Sequence, residues 1–146
     1  MIRFRSLAFN AVFYGSFLAL ALLGLPVLLV PGGALRMARI WARVNLWTLR
    51  HVAGIRVEFR GLEHLPPEGG LIAAKHQSEL ETFSLVPVLG PFAFILKQEL
   101  NRLPIFGWYT TRAGMIGVDR SAGASALRKM VEDGRAALAE GRRVVI

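Results

Sequence analysis

Apolar residues fill the start of the chain almost without interruption. No charged residue occurs from Ser6 to Leu35, and this stretch is long enough for a helix that crosses a bilayer. Pro26 and the Pro-Gly-Gly sequence at 31–33 would kink or end such a helix near its far end. A signal peptide is the alternative, because two arginines precede the apolar run. The run is, however, longer than a typical signal core, and no convincing small-residue cleavage site follows it.

Residues 34–54 have the spacing of an amphipathic helix. At about 100° per residue, four arginines fall within roughly 60° of one another: Arg36, Arg39, Arg43 and Arg50. Another face carries Met37, Trp41, Val44, Thr48 and Val52. Such a helix is typical of a membrane interface, where Trp41 and Trp47 would lie at the headgroups. The alternative is a helix packed on its own domain with solvated arginines. Because basic residues flank the first helix on both sides, a hairpin in one leaflet fits as well as a full span.

After Gly54 the pattern becomes one of short strands and helices. Alternating or apolar segments predict strands at 55–61, 70–76, 92–97, 115–119 and 142–146. A helix is predicted to start near Ser78, and another to occupy 121–141. Strands alternating with helices predict an α/β domain with a mostly parallel sheet flanked by helices, preceded by an N-terminal membrane-associated helical hairpin. We therefore divide the chain into a membrane anchor at 1–53 and a second domain at 54–146.

Charge and composition narrow the classes of partner. The chain carries 18 Lys and Arg against 10 Asp and Glu, a net charge of +8, and 53% of its residues are hydrophobic. This balance favours membrane lipids and other anionic partners. Nucleic acid is not expected, because the basic face adjoins an apolar segment and no recognition motif occurs. No metal site is expected either, since there is no cysteine and His51, His64 and His76 lack ligand spacing.

The sequence AAKHQSELETF, at 73–83, places a histidine and a carboxylate five residues apart. In one continuous helix His76 and Glu81 would point about 140° away from each other. A strand ending at His76, followed by a turn into a helix, would instead bring them together. A carboxylate on one imidazole nitrogen leaves the other to accept a proton from a substrate hydroxyl. The alternative is a capping box, in which Glu81 pairs with Ser78 and His76 is a surface residue.

AAKHQSELETF resembles the first conserved block of the glycerolipid acyltransferases of the lysophosphatidic acid acyltransferase type, which is His, four residues, Asp. KQELNRLPIFGWYTTRAGMIGVDR, at 97–120, is similar to their second block, and GLEHLPPEGGLIAAKH to their lead-in strand and turn. The resemblance spans roughly residues 50–146. It implies transfer of a fatty acyl group from acyl-CoA or acyl carrier protein, as co-substrate, to the hydroxyl of a lysophospholipid. With 1-acylglycerol-3-phosphate the product would be phosphatidic acid, a step of phospholipid biosynthesis that needs no cofactor and no covalent acyl-enzyme.

The resemblance also implies residue roles. His76 would be the general base and Glu81 would orient it. Gly114 and Arg120 match the second block, whose arginine is thought to hold the acceptor's phosphate, and Lys97 is a candidate acceptor-site cation. For Arg120 the alternative is an ion pair with the preceding aspartate or a solvated strand end. The implied location is the membrane, at the cytoplasmic face of the bacterial inner membrane.

The sequence departs from the family pattern in two ways. Glu81 stands where an aspartate is usual, and we expect the longer side chain still to reach the imidazole. The strand RRVVI at 142–146 is followed in the family by a third block, Phe-Pro-Glu-Gly-Thr-Arg, which the sequence given does not contain. We therefore expect a fragment or a truncated gene product. Two further alternatives are an acyltransferase with another acceptor, such as a lyso-ornithine lipid or glycerol 3-phosphate, and a basic membrane-binding module without catalysis.

Overall fold

The computed structural model describes all 146 residues, which form two compact units. The first unit contains residues 1–62 and 76–88, and the second contains residues 63–75 and 89–146. The division by packing differs from the sequence division at residue 53, because residues 76–88 pack with the N-terminal helices. A functional boundary at residue 53 stays a prediction.

The first unit is a helical hairpin with one further short helix. Its helices are α1 (Ile2–Leu23), α2 (Gly33–Thr48) and α3 (Leu80–Ser84). A 3-10 turn at Leu25–Leu29 links α1 to α2, and a π-helical turn at Leu49–Ala53 extends α2. The chain reverses at Gly32, whose φ of 72° is a left-handed conformation that favours glycine. The hairpin is tied by polar contacts, since Asn45 Nδ2 donates to Ser16 Oγ at 3.4 Å.

The surface of α1 is mostly exposed and apolar. Its most apolar 18-residue window has a mean hydropathy of 1.8, and only 11% of that window is buried. Phe13 and Ala21 are its buried residues, whereas Ile2, Phe4 and Leu7 are exposed. The core helix of a soluble protein is mostly buried, and the low burial of α1 differs from that pattern. By length and composition α1 is a candidate membrane-associated helix.

The outward face of α2 is basic and its inward face packs on α1. Arg36, Arg43 and Arg50 are exposed, and so is Trp47. The buried face carries small or polar residues: Ala34, Ala42, Asn45 and Thr48. Val44, on the predicted apolar face, is 37% exposed. Small side chains opposite α1 let the two backbones approach, so burial follows side-chain size more than hydropathy here. One face of α2 therefore packs on the protein while the arginines on its other face are exposed to solvent.

The second unit is an α/β fold. Its strands are β1 (Leu71–Ile72), β2 (Phe92–Lys97), β3 (Ile116–Val118) and β4 (Arg143–Val145). Its helices are α4 (Gln98–Asn101), α5 (Phe106–Arg112) and α6 (Ala124–Ala139). The strand order is β1-β4-β2-β3, and every pairing is parallel. Ala93, Ile116, Ala137 and Val144 form a core between the sheet and α6. This architecture confirms the predicted fold class.

One predicted strand is absent and another is much shorter than predicted. Residues 55–61 form no strand: Val57 and Phe59 are half-buried between exposed neighbours, as alternation requires, but no strand of the chain pairs with them. The strand predicted at 70–76 is only two residues long, because Leu71 and Ile72 alone pair with β4. The strand predicted at 92–97 is confirmed, and those at 115–119 and 142–146 are confirmed with shorter bounds.

Two consecutive arginines at the start of β4 are part of the internal structure of the second unit. The Arg142 side chain is 17% exposed, and its Nη2 donates to three carbonyl oxygens at 2.7–2.9 Å, those of Phe92, Ala113 and Gly114. Arg143 donates to the carbonyls of Pro66, at 2.6 Å, and Leu89. Both guanidinium groups satisfy buried backbone acceptors, so these two charges are not available to an external anionic partner.

Candidate functional site

The turn between β1 and α3 brings His76 and Glu81 into contact. His76 Nδ1 and Glu81 Oε1 are 2.5 Å apart, so the extra methylene of glutamate does not prevent the contact. The imidazole is 78% exposed, whereas the carboxylate is 22% exposed. With Nδ1 donating to a carboxylate, a neutral imidazole presents an unprotonated Nε2 on an accessible ring. That is the arrangement a general base requires.

The carboxylate of Glu81 also holds the backbone of the turn. Its Oε1 accepts from the N–H groups of Gln77 and Ser78, at 3.0 and 3.1 Å. Its Oε2 accepts from the Ser78 hydroxyl at 3.2 Å, and that hydroxyl oxygen accepts from Leu80 N–H at 3.1 Å. This reciprocal pattern closes the turn just before α3 much as a capping box does, although the N-cap of the helix itself is Glu79 and Ser78 Oγ bonds the N–H of Leu80 rather than that of Glu81. The capping contacts and the histidine–carboxylate contact are therefore both present, because one carboxylate serves both.

These contacts determine the ionisation of Glu81. Burial alone would raise the pKa of its carboxyl, but backbone N–H groups, the His76 imidazole and the Ser78 hydroxyl outweigh burial and lower the pKa to about 2. The carboxylate is therefore ionised throughout the neutral range. An ionised partner keeps the proton on Nδ1 and would stabilise the imidazolium that forms when Nε2 takes a proton.

A cluster of aromatic rings holds α3 in place. Phe83, two residues after Glu81, is 3% exposed and packs between the first two helices. Its ring centroid lies 5.6 Å from that of Phe13 in α1 and 5.9 Å from that of Trp41 in α2. Because α3 has only five residues, it has little stability of its own and depends on this packing. The N-terminal hairpin therefore supports the turn that carries His76.

In the second unit, Lys97 and Arg120 come from the carboxyl ends of neighbouring strands. Lys97 is the last residue of β2 and pairs in register with Val118, the last residue of β3. Arg120 follows Val118 by two residues, and both cations are exposed. Ligands of open α/β sheets bind at the carboxyl ends of strands, so these cations lie where an anionic ligand is expected.

The alternative of an Asp119–Arg120 ion pair does not occur. Asp119 instead accepts from the N–H of Ser121 at 2.9 Å and from its hydroxyl at 2.5 Å. The hydrogen bonds from the Ser121 hydroxyl and N–H, with a smaller contribution from the charge of Arg102, lower the pKa of Asp119. The Arg120 side chain makes no hydrogen bond or ion pair within the chain, which leaves its guanidinium free for a ligand.

Gly114 has a structural reason to be glycine. Its φ is 66°, and a Cβ at this position would lie 2.6 Å from an Arg142 guanidinium nitrogen. The turn after α5 thus needs both a left-handed residue and room for that arginine. A contact between Gly114 and substrate stays a prediction.

Sequence reasoning missed the residues that support the site. In the sequence nothing distinguishes Phe83, Phe13 and Trp41 from ordinary core or interface residues. Only their contacts in the folded chain connect them to the turn that carries Glu81. Arg142 reads as one more solvated charge. Its one sequence signal is its place at the start of a predicted strand. No group of three His, Asp or Glu side chains is placed to hold a metal ion.

The class of protein follows from comparison with known families, and the parallel α/β unit and the carboxylate-supported histidine are consistent with it. A family model described as Acyltransferase matches residues 56–146. The chain belongs to this acyltransferase family, as the resemblance in its two sequence blocks predicted.

The relatives carry a consistent name. The chain is 42% identical over 106 residues to a 1-acyl-sn-glycerol-3-phosphate acyltransferase of Pseudomonas aeruginosa, which covers 73% of this chain and 41% of the relative. It is 34% identical over 139 residues to 1-acyl-sn-glycerol-3-phosphate acyltransferase alpha of Homo sapiens, which covers 93% of this chain and 49% of the relative. The chain thus spans less than half the length of these relatives. No solved structure shows a significant match.

Proposed function

We propose that the protein transfers a fatty acyl group from a thioester to the free hydroxyl of a lysophospholipid, with 1-acylglycerol-3-phosphate as acceptor and phosphatidic acid as product. The observation that carries the proposal is the 2.5 Å contact between His76 Nδ1 and the ionised Glu81, with Nε2 on an exposed ring. The names of the relatives support the choice of acceptor.

In the proposed reaction His76 Nε2 takes the proton of the acceptor hydroxyl as its oxygen attacks the thioester carbonyl carbon. The C–S bond then breaks, and the imidazolium returns the proton to the leaving thiolate. Glu81 stays ionised and stabilises the imidazolium between these steps. No covalent acyl-enzyme is needed, in keeping with a sequence that contains no G-x-S-x-G nucleophile motif.

We assign the phosphate of the acceptor to Arg120, with Lys97 as a second cation. A guanidinium donates two parallel hydrogen bonds to a phosphate, which fixes orientation as well as charge, whereas an ammonium contributes chiefly charge. Both side chains are exposed at the carboxyl ends of neighbouring parallel strands. Acyl-CoA and acyl carrier protein are both retained as donors.

The proposed location is the membrane surface, on the cytoplasmic face, where thioester donors and lysophospholipids meet. Support comes from the exposed apolar surface of α1 and from the exposed arginines of α2. The same exposed arginines favour the second candidate function, a membrane-binding module without catalysis.

One assay separates the two functions. The protein in its complete reading frame is placed in vesicles with acyl-CoA, and thiol release and lipid products are followed with lysophosphatidic acid, a lyso-ornithine lipid or glycerol 3-phosphate. We expect thiol release to require lysophosphatidic acid, and His76→Ala to lower the rate by about 10²- to 10⁴-fold. A His76→Ala variant as active as wild type, or no turnover with any acceptor, would refute acyl transfer by this site.

A further inference from the structure

A groove at the end of α2 combines aromatic, basic and apolar side chains. It has a volume of about 250 Å³, and we call it the Trp47 groove. Its lining residues are Leu46, Trp47, Arg50, His51, Arg56, Val57 and Phe59. None of them belongs to the turn that carries His76 and Glu81, and the proposed acyl transfer uses none of them.

One wall of the groove is a stacked aromatic pair. The ring centroids of Trp47 and His51 lie 4.7 Å apart with 28° between the ring planes. His51 Nδ1 bonds the carbonyl oxygen of Trp47 at 2.8 Å, which fixes the imidazole against the indole. Trp47 is nevertheless 61% exposed, an unusual position for the largest apolar side chain. An exposed, held indole is typical of a residue that lies at lipid headgroups.

The other feature of the groove is uncompensated positive charge. The Arg50 and Arg56 side chains are exposed and make no hydrogen bond or ion pair within the chain. The nearby carboxylate in sequence, Glu58, is already paired with Arg60 through contacts of 2.9 and 3.1 Å. Because no carboxylate lines the groove, its charge is complementary to an anion that also has an apolar part.

The groove lies beside the apolar N-terminal end of α1. Arg5 Nε donates to the Val52 carbonyl at 2.6 Å, and its guanidinium covers Gly54. This contact joins the first turns of α1 to residues 52–54, which connect the groove residues at 46–51 to those at 56–59. Ile2 and Phe4, in those same turns, are 85% and 76% exposed. The exposed apolar start of α1 is therefore tied to the segment from which the groove residues come.

We propose that the Trp47 groove binds the headgroup phosphate of an anionic phospholipid in the bilayer. Arg50 and Arg56 would bond the phosphate, and Trp47 with Phe59 would contact the glycerol and upper acyl chains. Free inorganic phosphate would satisfy the arginines but leave the apolar wall unoccupied, which favours a lipid as the occupant. This site uses none of the residues proposed for the acceptor and does not depend on acyl transfer.

The test measures lipid contact and needs no turnover. The protein is placed in nanodiscs that contain increasing mole fractions of phosphatidylglycerol or phosphatidylcholine with brominated acyl chains, which quench nearby tryptophans. The signal of Trp47 is the difference between the wild type and Trp47→Phe. We expect half-quenching at a lower mole fraction of phosphatidylglycerol than of phosphatidylcholine, by about five-fold for each arginine. Arg50→Gln with Arg56→Gln should abolish this preference.

The matched control removes the same charge elsewhere. Arg128 and Arg135 of α6 are exposed and unpaired, so Arg128→Gln with Arg135→Gln should leave the preference unchanged. Equal quenching by both lipids in the wild type, or an equal loss in the α6 control, would overturn the proposal. Release of the phosphatidylglycerol signal by inorganic phosphate, but not by chloride at matched ionic strength, would assign the groove to free phosphate and overturn a lipid site.

Discussion

Replacing Glu81 with glutamine separates the chemical role of the carboxylate from its structural role. The substitution removes the negative charge but preserves the length of the side chain and one acceptor oxygen. The glutamine amide oxygen could still accept a hydrogen bond from His76 Nδ1, so the ring would keep its orientation. What is lost is the charge assistance that a carboxylate gives to the imidazolium formed during proton transfer.

The expected loss can be worked from the contacts. A hydrogen bond to a charged group contributes about 1.5–3 kcal/mol, so we expect Glu81→Gln to lower kcat by about 10- to 100-fold. His76→Ala removes the base itself and should cost more, about 10²- to 10⁴-fold. Because the contact with Glu81 strengthens only as the imidazole becomes charged, KM for the acceptor should change little.

The assay is steady-state thiol release from acyl-CoA with the protein in its complete reading frame in vesicles, with thermal unfolding measured on the same samples. Ser78→Ala is the matched control, since it removes the hydroxyl that bonds Glu81 Oε2 and Leu80 N–H but leaves the contact between His76 and Glu81. It should cost about 1 kcal/mol of stability, as the loss of a cap does, with little effect on kcat. Equal kcat values for Glu81→Gln and Ser78→Ala would show that Glu81 acts only as a capping residue.

Four further predictions concern the stability of the protein and the residues that hold its turns in place. Because the pKa of Glu81 is lowered from 4.5 to about 2, its ionised form contributes stability that is complete above pH 4.5 and is lost as the pH falls towards 2. The stability difference between wild type and Glu81→Gln, measured by thermal unfolding, should therefore shrink over that range. Phe83→Ala removes a buried ring and should cost about 3–5 kcal/mol in chemical denaturation. Its kcat, measured below the unfolding transition, should also fall; an unchanged kcat would contradict the support of the turn by the hairpin. Arg142→Lys keeps the charge but cannot reach three carbonyls, so we expect a loss of about 1–3 kcal/mol, and wild-type stability would contradict its structural role. Ile105 has φ 64° and ψ −61°, a strained γ-turn, so Ile105→Gly should be more stable than Ile105→Ala by about 1 kcal/mol, the reverse of the usual order.

The N-terminal hairpin also changes how a truncation should be interpreted. Deletion of residues 1–53 is the obvious test of membrane attachment, but it removes Phe13 and Trp41, which pack on Phe83. Loss of activity in the truncated protein would therefore follow from a disordered turn as readily as from loss of the membrane. Charge substitutions on the exposed face of α2 keep this packing and are the better test.

The second unit was largely predictable because its signals are local. FAFILK at 92–97 is a buried strand by composition alone, and helical spacing indicates α6 with bounds within three residues. Residues 55–61 show the limit of such reasoning. Alternating apolar and polar residues are compatible with a strand, but a strand forms only where a neighbouring strand is available for hydrogen bonding, and none is paired with this segment. The short helices α4 and α5 were not predicted, because each has too few residues for a helical hydrophobic pattern to be recognised.

The sequence alone determined the class of the protein, through its resemblance to a known family, and indicated the pair of residues proposed for its chemistry. The two family-like blocks, the apolar and uncharged start, and the alternating strand and helix patterns are all properties of neighbours along the chain. Tertiary structure decided the rest. Whether His76 and Glu81 face each other depends on a turn held by capping bonds and by Phe83, and the ring contacts of Phe83 join residues 42 and 70 positions apart in sequence. Likewise, which arginines remain available for a partner depends on distant carbonyl groups that bind Arg142 and Arg143, because a charge can be taken up by backbone acceptors that only folding brings near.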